Sequence, residues 1–194
     1  MKTEITVESE LIEKLIQRDE KAFKSFFDHY KQKVYNTAAG FLTNTEEAED
    51  ITQEVFIQVF RSIKHFKKNS QLSTWIYRIT VTKCLDLLRK KKAKKRIAFI
   101  TDIFEKNDID KKESFVNYEH PGVETDRIEL SARLFREIDK LPENQRIAFV
   151  LNKVEQLGYR EISEIMDTSV PAVESLISRA KANLKKRLEK YYRN

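Results

Sequence analysis

Between Tyr159 and Lys181 the chain reads YREISEIMDTSVPAVESLISRAK. Ile162 and Ile165 lie one turn apart on a short helical stretch over 159–166, and Val173 and Ile177 lie one turn apart on a longer stretch that starts at Val170. Asp167 to Ser169 supply the turn between them. Ser169 is placed to cap the second helix, and Pro171 falls in its first turn, where a missing N–H costs nothing. The two apolar pairs meet only if the helices cross steeply, which is helix-turn-helix spacing. The core face continues through Ala180, Leu184 and Leu188, leaving Ala172, Glu174, Ser175, Ser178, Arg179, Lys185 and Lys186 outward. Small residues let a helix enter the major groove, basic ones reach phosphates on the groove walls, and a Glu accepts from cytosine N4. A hairpin with a merely solvated face is the plain alternative. The capped turn, the small outward residues and the basic rear together favour DNA binding through Ser169, Ala172, Glu174, Ser175, Ser178, Arg179 and Lys185.

Upstream of this pair, Ile128, Leu130, Leu134, Ile138 and Leu141 keep helical spacing up to Pro142, and Ile147, Val150, Leu151 and Val154 resume it until Gly158, read as a C′ glycine. The whole chain of 194 residues has three Gly and three Pro, too few for a fold of tight hairpins, so an all-α fold is expected. Net charge is +6, unevenly spread: +1 over residues 1–89, +6 over 90–96, −4 over 97–128 and +3 over 129–194. The knot Lys90, Lys91, Lys92, Lys94, Lys95 and Arg96 therefore closes a near-neutral first half, and an acidic, aperiodic stretch follows it. Two small helical domains are expected, 1–96 and 128–194, joined by a flexible acidic linker over 97–127. No apolar run approaches the roughly 20 residues of a membrane span, and the opening MKTEITVESE lacks a signal-peptide pattern, so a cytoplasmic protein without membrane insertion is expected. Cys84 sits among apolar residues as a buried structural thiol. His29, His65 and His120 show no metal-ligand spacing, so neither metal nor cofactor is expected.

In the first domain Leu11, Ile12, Leu15 and Ile16 mark one helix, and Asp19 is placed to cap a second through Phe23, Phe26, Phe27, Tyr30 and Val34. Asn44 or Thr45 caps a third, with Ala48, Ile51, Val55, Val59 and Ile63 inward and Glu47, Asp50 and Glu54 on the outer face. Three carboxylates on one straight helix cannot enclose a cation, which leaves a solvated face or a docking surface for a basic partner. A fourth helix runs from Leu72 through Ile76, Ile79, Leu85 and Leu88 into the basic knot. Around its start Phe66, Trp75 and Tyr77 interleave with Arg61, Lys64, Lys67, Lys68, Arg78 and Lys83. Rings stack on bases only where strands are open, so this pattern fits a single-strand surface. Aromatics at helical spacing are also the ordinary furniture of a core.

Three stretches taken in order, AEDITQEVFIQVF (48–60), STWIYRI (73–79) and LPENQRIAFVLNKVEQLGYREISEIMDTSVPAVESLISRAK (141–181), closely resemble the extracytoplasmic-function sigma factors of bacterial RNA polymerase. The resemblance implies a non-enzymatic transcription initiation factor. In such a factor the first domain binds core RNA polymerase and the minus-ten element and assists melting, and the second binds the minus-thirty-five element. Carried over by position, Glu47, Asp50, Gln53, Glu54 and Phe56 belong to the polymerase-docking helix. Phe66, Lys67, Lys68, Trp75, Tyr77, Arg78, Thr82 and Lys83 belong to the segment that holds the melted non-template strand. Thr82 stands where many relatives have Asn, and Glu174 and Leu176 where well-known relatives have Arg, which implies different promoter preferences. An anti-sigma factor is implied as a further partner.

An autonomous helix-turn-helix regulator accounts for residues 129–194 but gives the first domain no task. A basic RNA-binding or nuclease-like protein accounts for the charge but lacks a converging acid, base or metal set. About 30 residues of relaxed linker span about 30 Å and stretch to about 100 Å, so promoter elements about 70 Å apart require an extended linker.

Overall fold

The computed structural model describes the backbone of residues 2–42, 44–105 and 133–192, and the side chains of 8–42, 44–94 and 133–189. Among these the regular structure is helical throughout. Helix α1 (Lys2–Ile16) buries Ile12 and Leu15, and Arg18, at φ 61°, turns the chain into α2 (Glu20–Phe41). Asp19 Oδ1 accepts from the Ala22 amide at 2.8 Å, satisfying an otherwise orphan donor of the first turn. Asn44, rather than Thr45, caps α3 (Thr45–Ser62), its Oδ1 accepting from the Glu47 amide at 2.9 Å. Ala48, Ile51, Val55 and Val59 are buried, with Ile63 of the short 3₁₀ turn Ile63–His65 completing the stripe. Between α2 and α3 lies an aromatic lattice: Phe56 meets Phe27 at 4.6 Å and the Phe26 ring edge-on at 5.8 Å, and Phe23 meets Phe60 edge-on at 5.4 Å.

Helix α4 spans Leu72–Glu105. Its first amide, at Leu72, donates to the Glu8 carboxylate of α1, so the N-terminal helix closes the end of the fourth. At its other end α4 continues to Glu105, nine residues into the segment read from sequence as linker, and residues 106–127 of that segment lie outside the described ones. In the stretch IAFITDIFE over 97–105, Ile97, Phe99, Ile100, Ile103 and Phe104 fall within about half of a helical wheel, a 3.6-residue pattern that the linker reading passed over.

The second module begins with α5, described over 133–139, and continues after Pro142 with α6 (Glu143–Lys153), α7 (Tyr159–Met166) and α8 (Val170–Tyr192). The expected role of Gly158 is corrected here. Helix α6 stops at Lys153, the left-handed residue of the connection is Gln156 at φ 56°, and Gly158 sits at the N-cap of α7 with an ordinary φ of −71°. There its amide donates to Glu161 Oε2 at 2.8 Å, half of a capping box.

Sequence periodicity separates the two modules; the structure joins their cores. Helix α2 packs against α6 and α4 against α7, and the buried residues form one continuous apolar cluster from Ile12 to Leu184. The two helices come close at Gly40, where an added Cβ would lie 2.6 Å from Val150 Cγ1. Only a residue without a side chain lets α2 and α6 come so near.

Candidate nucleic-acid and docking surfaces

Three surfaces carry the residues singled out in the sequence. On α3, Asp50 and Gln53 are exposed, whereas the carboxylates at either end of the stripe are engaged by α4: Glu47 with Lys91 at 2.6 Å and Glu54 with Lys83 at 2.8 Å. Phe56 is corrected from a docking residue to a core residue. It is 4% exposed and held between Phe26 and Phe27. The apolar side chain on the outer face is its neighbour Ile57, 49% exposed, which the sequence reading missed. The signal was available, since Ile57 follows Gln53 by four residues and Glu54 by three and so falls on their face rather than on the Val55–Val59 stripe.

At the start of α4, Phe66 and Trp75 lie with ring centroids 5.0 Å apart and planes tilted by 37°, each half-buried against the core. Lys67 and Lys68 are exposed beside them, and Lys68, at φ 54°, shapes the loop. Thr82 is exposed further along the helix, while the Lys83 ammonium is tied to Glu54. Tyr77 and Arg78, expected on the same surface, point elsewhere. Tyr77 is 6% exposed and its hydroxyl donates to Glu155 Oε2 at 3.1 Å. Arg78 is solvent-facing, yet its Nε donates at 3.1 Å to the carbonyl of Glu164, on which its Nη2 also converges. Both acceptors belong to the second module. No signal in the sequence announces this pairing, because partners 78 and 86 residues apart share no spacing rule.

On the second module α7 crosses α8 through Ile162 and Ile165 against Val173 and Ile177, all buried. Asp167, at φ 50° and ψ 53°, supplies the left-handed turn, and the Thr168 amide closes it on the Ser163 carbonyl at 3.0 Å. Ser169 Oγ accepts from the Ala172 amide at 3.4 Å, as the capping pattern requires. Glu174, Ser178, Arg179 and Lys185 are exposed along α8, with Ala172 and Ser175 half-buried at its start. Behind this face Asn183 donates to Gln145 Oε1 at 2.8 Å, and Arg187 reaches the Lys140 carbonyl at 3.2 Å, fixing α8 on α5 and α6.

Burial sets the electrostatics between the modules. The Glu155 carboxyl is held above its ordinary range by desolvation, which outweighs the Tyr77 hydrogen bond and nearby Lys33. Its Oε1 is buried without a hydrogen-bond partner; the Thr37 hydroxyl faces it but donates to the Lys33 carbonyl at 2.8 Å. Asp139 is likewise raised by burial, against the pull of Arg146 at 3.1 Å. The Cys84 thiol, wholly buried, is pushed up to about 12 and stays protonated, in keeping with a structural role.

An all-helical chain with a capped helix-turn-helix on one module and an aromatic edge flanked by lysines on the other belongs to the class of nucleic-acid-binding helical adaptors. Known proteins narrow the class. Residues 26–94 match the sigma-70 region 2 family and residues 131–184 the sigma-70 region 4 family. The chain is 33% identical over 184 residues to the ECF RNA polymerase sigma factor SigW of Bacillus subtilis (strain 168), covering 91% of this chain and 94% of that one. It is 30% identical over 171 residues to the ECF RNA polymerase sigma-E factor of Escherichia coli (strain K12), covering 88% of each. Its fold is shared with CnrH, solved in complex with the cytosolic domain of CnrY, at a TM-score of 0.68 and 20% identity over 94% of this chain and 97% of that one. It is also shared with the sigma factor RpoE from Bartonella quintana, solved with the anti-sigma factor NepR, at a TM-score of 0.64 and 17% identity over 87% and 98%. This chain belongs to the extracytoplasmic-function sigma factors and is a transcription initiation factor.

Proposed function

We propose that the chain docks on core RNA polymerase through the outer face of α3, with Asp50, Gln53 and Glu54 flanking the exposed Ile57. The Phe66–Trp75 stack, with Lys67, Lys68 and Thr82, receives the unstacked non-template strand at the minus-ten element. The start of α8, from Ser169 to Arg179, enters the major groove of the minus-thirty-five element, and Lys185 tracks its phosphates. The protein supplies address and melting, and polymerase supplies the bond-making step. It acts in the cytoplasm, with an anti-sigma factor as its regulatory partner, a reading supported by the family and testable by recovery of such a protein with the tagged chain from its own cell.

The single observation that carries this reading is the coincidence, on one chain, of a half-exposed aromatic pair suited to open strands and a capped recognition helix suited to duplex. The test is reconstitution with core polymerase and run-off transcription from genomic fragments of the source bacterium. New start sites that share two spaced sequence elements support the reading; unchanged start sites overturn it.

A further inference from the structure

A cleft of about 760 Å³ opens between α1, α2 and the start of α4, and none of the three surfaces above absorbs it. Helix α2 lends it one face. Ser25, His29 and Lys33 follow one another at intervals of four residues, and Phe26 and Tyr30 form the adjoining row. The Phe26 and Tyr30 rings lie 5.1 Å apart and the His29 ring meets Tyr30 edge-on at 4.7 Å, which makes this wall aromatic. Leu11 of α1 and Leu72 of α4 add apolar surface. Polar groups complete the lining: Glu8 of α1, Gln71 and Ser73 at the start of α4, and the Lys33 ammonium, 5.5 Å from the Tyr30 ring centroid. Lys33 is exposed, and Glu155 feels its charge without forming a salt bridge to it.

These groups sort by the ligand they fit. An aromatic wall takes a flat ring with π faces, and the volume falls within the roughly 300–1,000 Å³ of ordinary ligand clefts. Glu8 accepts from the Leu72 amide through Oε1, and a carboxylate keeps further lone pairs for an amine. Burial, and after it Glu8, push the Tyr30 hydroxyl above its ordinary range, so it stays a donor. Lys33 supplies the cation a phosphate needs. The cleft also continues the strand-handling edge: Gln71 to Ser73 lie between Lys68 and Trp75, and the Trp75 amide donates to the Gln71 carbonyl at 3.2 Å.

We infer that the cleft takes a second unstacked base of the non-template strand, one that carries an exocyclic amine, with Lys33 on its phosphate. The inference deepens the promoter-opening function proposed above and rests on it. Adenine is the favoured base, because a carboxamide such as that of Gln71 pairs bidentately with adenine N6 and N7. Thymine has no amine and would set its carbonyl oxygens against Glu8, leaving acceptors unpaired. Glu8, Leu11 and Ser25 precede residue 26, where the match to the region 2 family begins, so the cleft depends in part on a helix outside that match. A free adenine nucleotide offers the same base and phosphate. Continuity with the Phe66–Trp75 edge favours the strand.

The experiment uses the full chain and two labelled single-stranded 20-mers, one of thymidine alone and one with a single central adenine, followed by fluorescence anisotropy over a range of salt. Ser25→Leu fills the cleft, Gln71→Ala removes the amide and Lys33→Ala the charge; all three positions are exposed, and circular dichroism checks the fold of each variant. The adenine 20-mer should bind the unmodified chain about tenfold more tightly than the thymidine one. Gln71→Ala and Ser25→Leu should erase that ratio. Lys33→Ala should weaken both oligomers and lower the slope of log affinity against log salt by about 0.7. Equal binding of the two oligomers by the unmodified chain overturns the inference, as does a preference that survives both Gln71→Ala and Ser25→Leu. Adenosine 5′-monophosphate that displaces the adenine 20-mer with an affinity equal to or tighter than the oligomer's own overturns the strand as the occupant. Failure of the chain to redirect transcription by core polymerase overturns the functional reading instead, and the 20-mer measurements still decide the cleft.

Discussion

Phe56 and Ile57 are neighbours in sequence and opposites in environment, one sealed among phenylalanines and the other half in water. Truncating Phe56 to Ala removes a ring from a close-packed lattice and should cost about 3–5 kcal/mol of stability, read as a shift in the urea midpoint at unchanged slope. Ile57→Ala should leave stability within about 0.5 kcal/mol and instead weaken association with core polymerase by tenfold or more, measured by titration of labelled polymerase. If Ile57→Ala leaves that affinity intact, the outer face of α3 is not the docking surface. Glu174 makes the matching case on DNA. It is exposed, and a carboxylate there can accept from cytosine N4 but repels phosphate. Glu174→Ala should relax discrimination at one upstream base pair by about 1–3 kcal/mol, visible when promoter variants compete in one run-off reaction. An unaltered ranking of the variants would take Glu174 out of base recognition. At this scale the sequence resolved faces but not depth. Period 3.6 separates inward from outward by about one residue's rotation, and Phe56, beside the Val55 and Val59 stripe, lies at that margin.

At the scale of elements the reading was most secure where chemistry marks both ends of a helix. Asp19 and Asn44 carry the oxygen that an N-terminus needs, Asp167 and Ser169 mark the two sides of the helix-turn-helix, and all four perform those roles. Helix α4 begins at Leu72 as read, but its cap and its far end escaped. The cap is Glu8, which lies 64 residues away and leaves no local mark, and the far end lies beyond the basic knot, whose charges interrupt the apolar stripe before Ile97, Phe99, Ile100, Ile103 and Phe104 resume it. Gly158 misled because glycine is common on either side of a helix boundary, and only the backbone distinguishes an N-cap from a left-handed C′ residue. The Glu8 cap is testable. Glu8→Ala leaves the Leu72 amide without its carboxylate and should cost about 1–2 kcal/mol, with faster hydrogen exchange confined to the first turn of α4, around residues 72–75. Because that turn carries Trp75, melting activity should fall while the affinity of α8 for duplex DNA is unchanged. Exchange that rises equally in α1 and α4 would show general loosening instead of a lost cap.

For the whole molecule the decisive feature is the contact between modules, which no periodicity could have revealed, since the faces of α2 and α4 that meet α6 and α7 read as ordinary core. The groups inside that contact give it a pH dependence. Glu155 is faced by Tyr77 from α4 and by Lys33 and Thr37 from α2, with Glu161 of α7 also acting on Tyr77. Desolvation raises the Glu155 carboxyl when the modules are together, whereas in the separated form it regains water and returns toward the ordinary carboxylate range. A carboxyl raised by closure opposes closure when ionised. Its favourable contribution is therefore complete below the open-state value and is lost as pH rises through the raised one. Lowering the pH from about 7.5 to about 5 should thus increase energy transfer between dyes on Lys24→Cys and Lys181→Cys, exposed positions on the two modules, with buried Cys84 left unlabelled. Glu155→Gln should hold the closed state more firmly at neutral pH, because its carbonyl can still accept from Tyr77 while its amide donates to the Thr37 oxygen, and no charge is buried. Its profile should be flatter than that of the unmodified chain. A rise in transfer with increasing pH, or an unchanged slope in Glu155→Gln, would remove Glu155 from the energetics of closure.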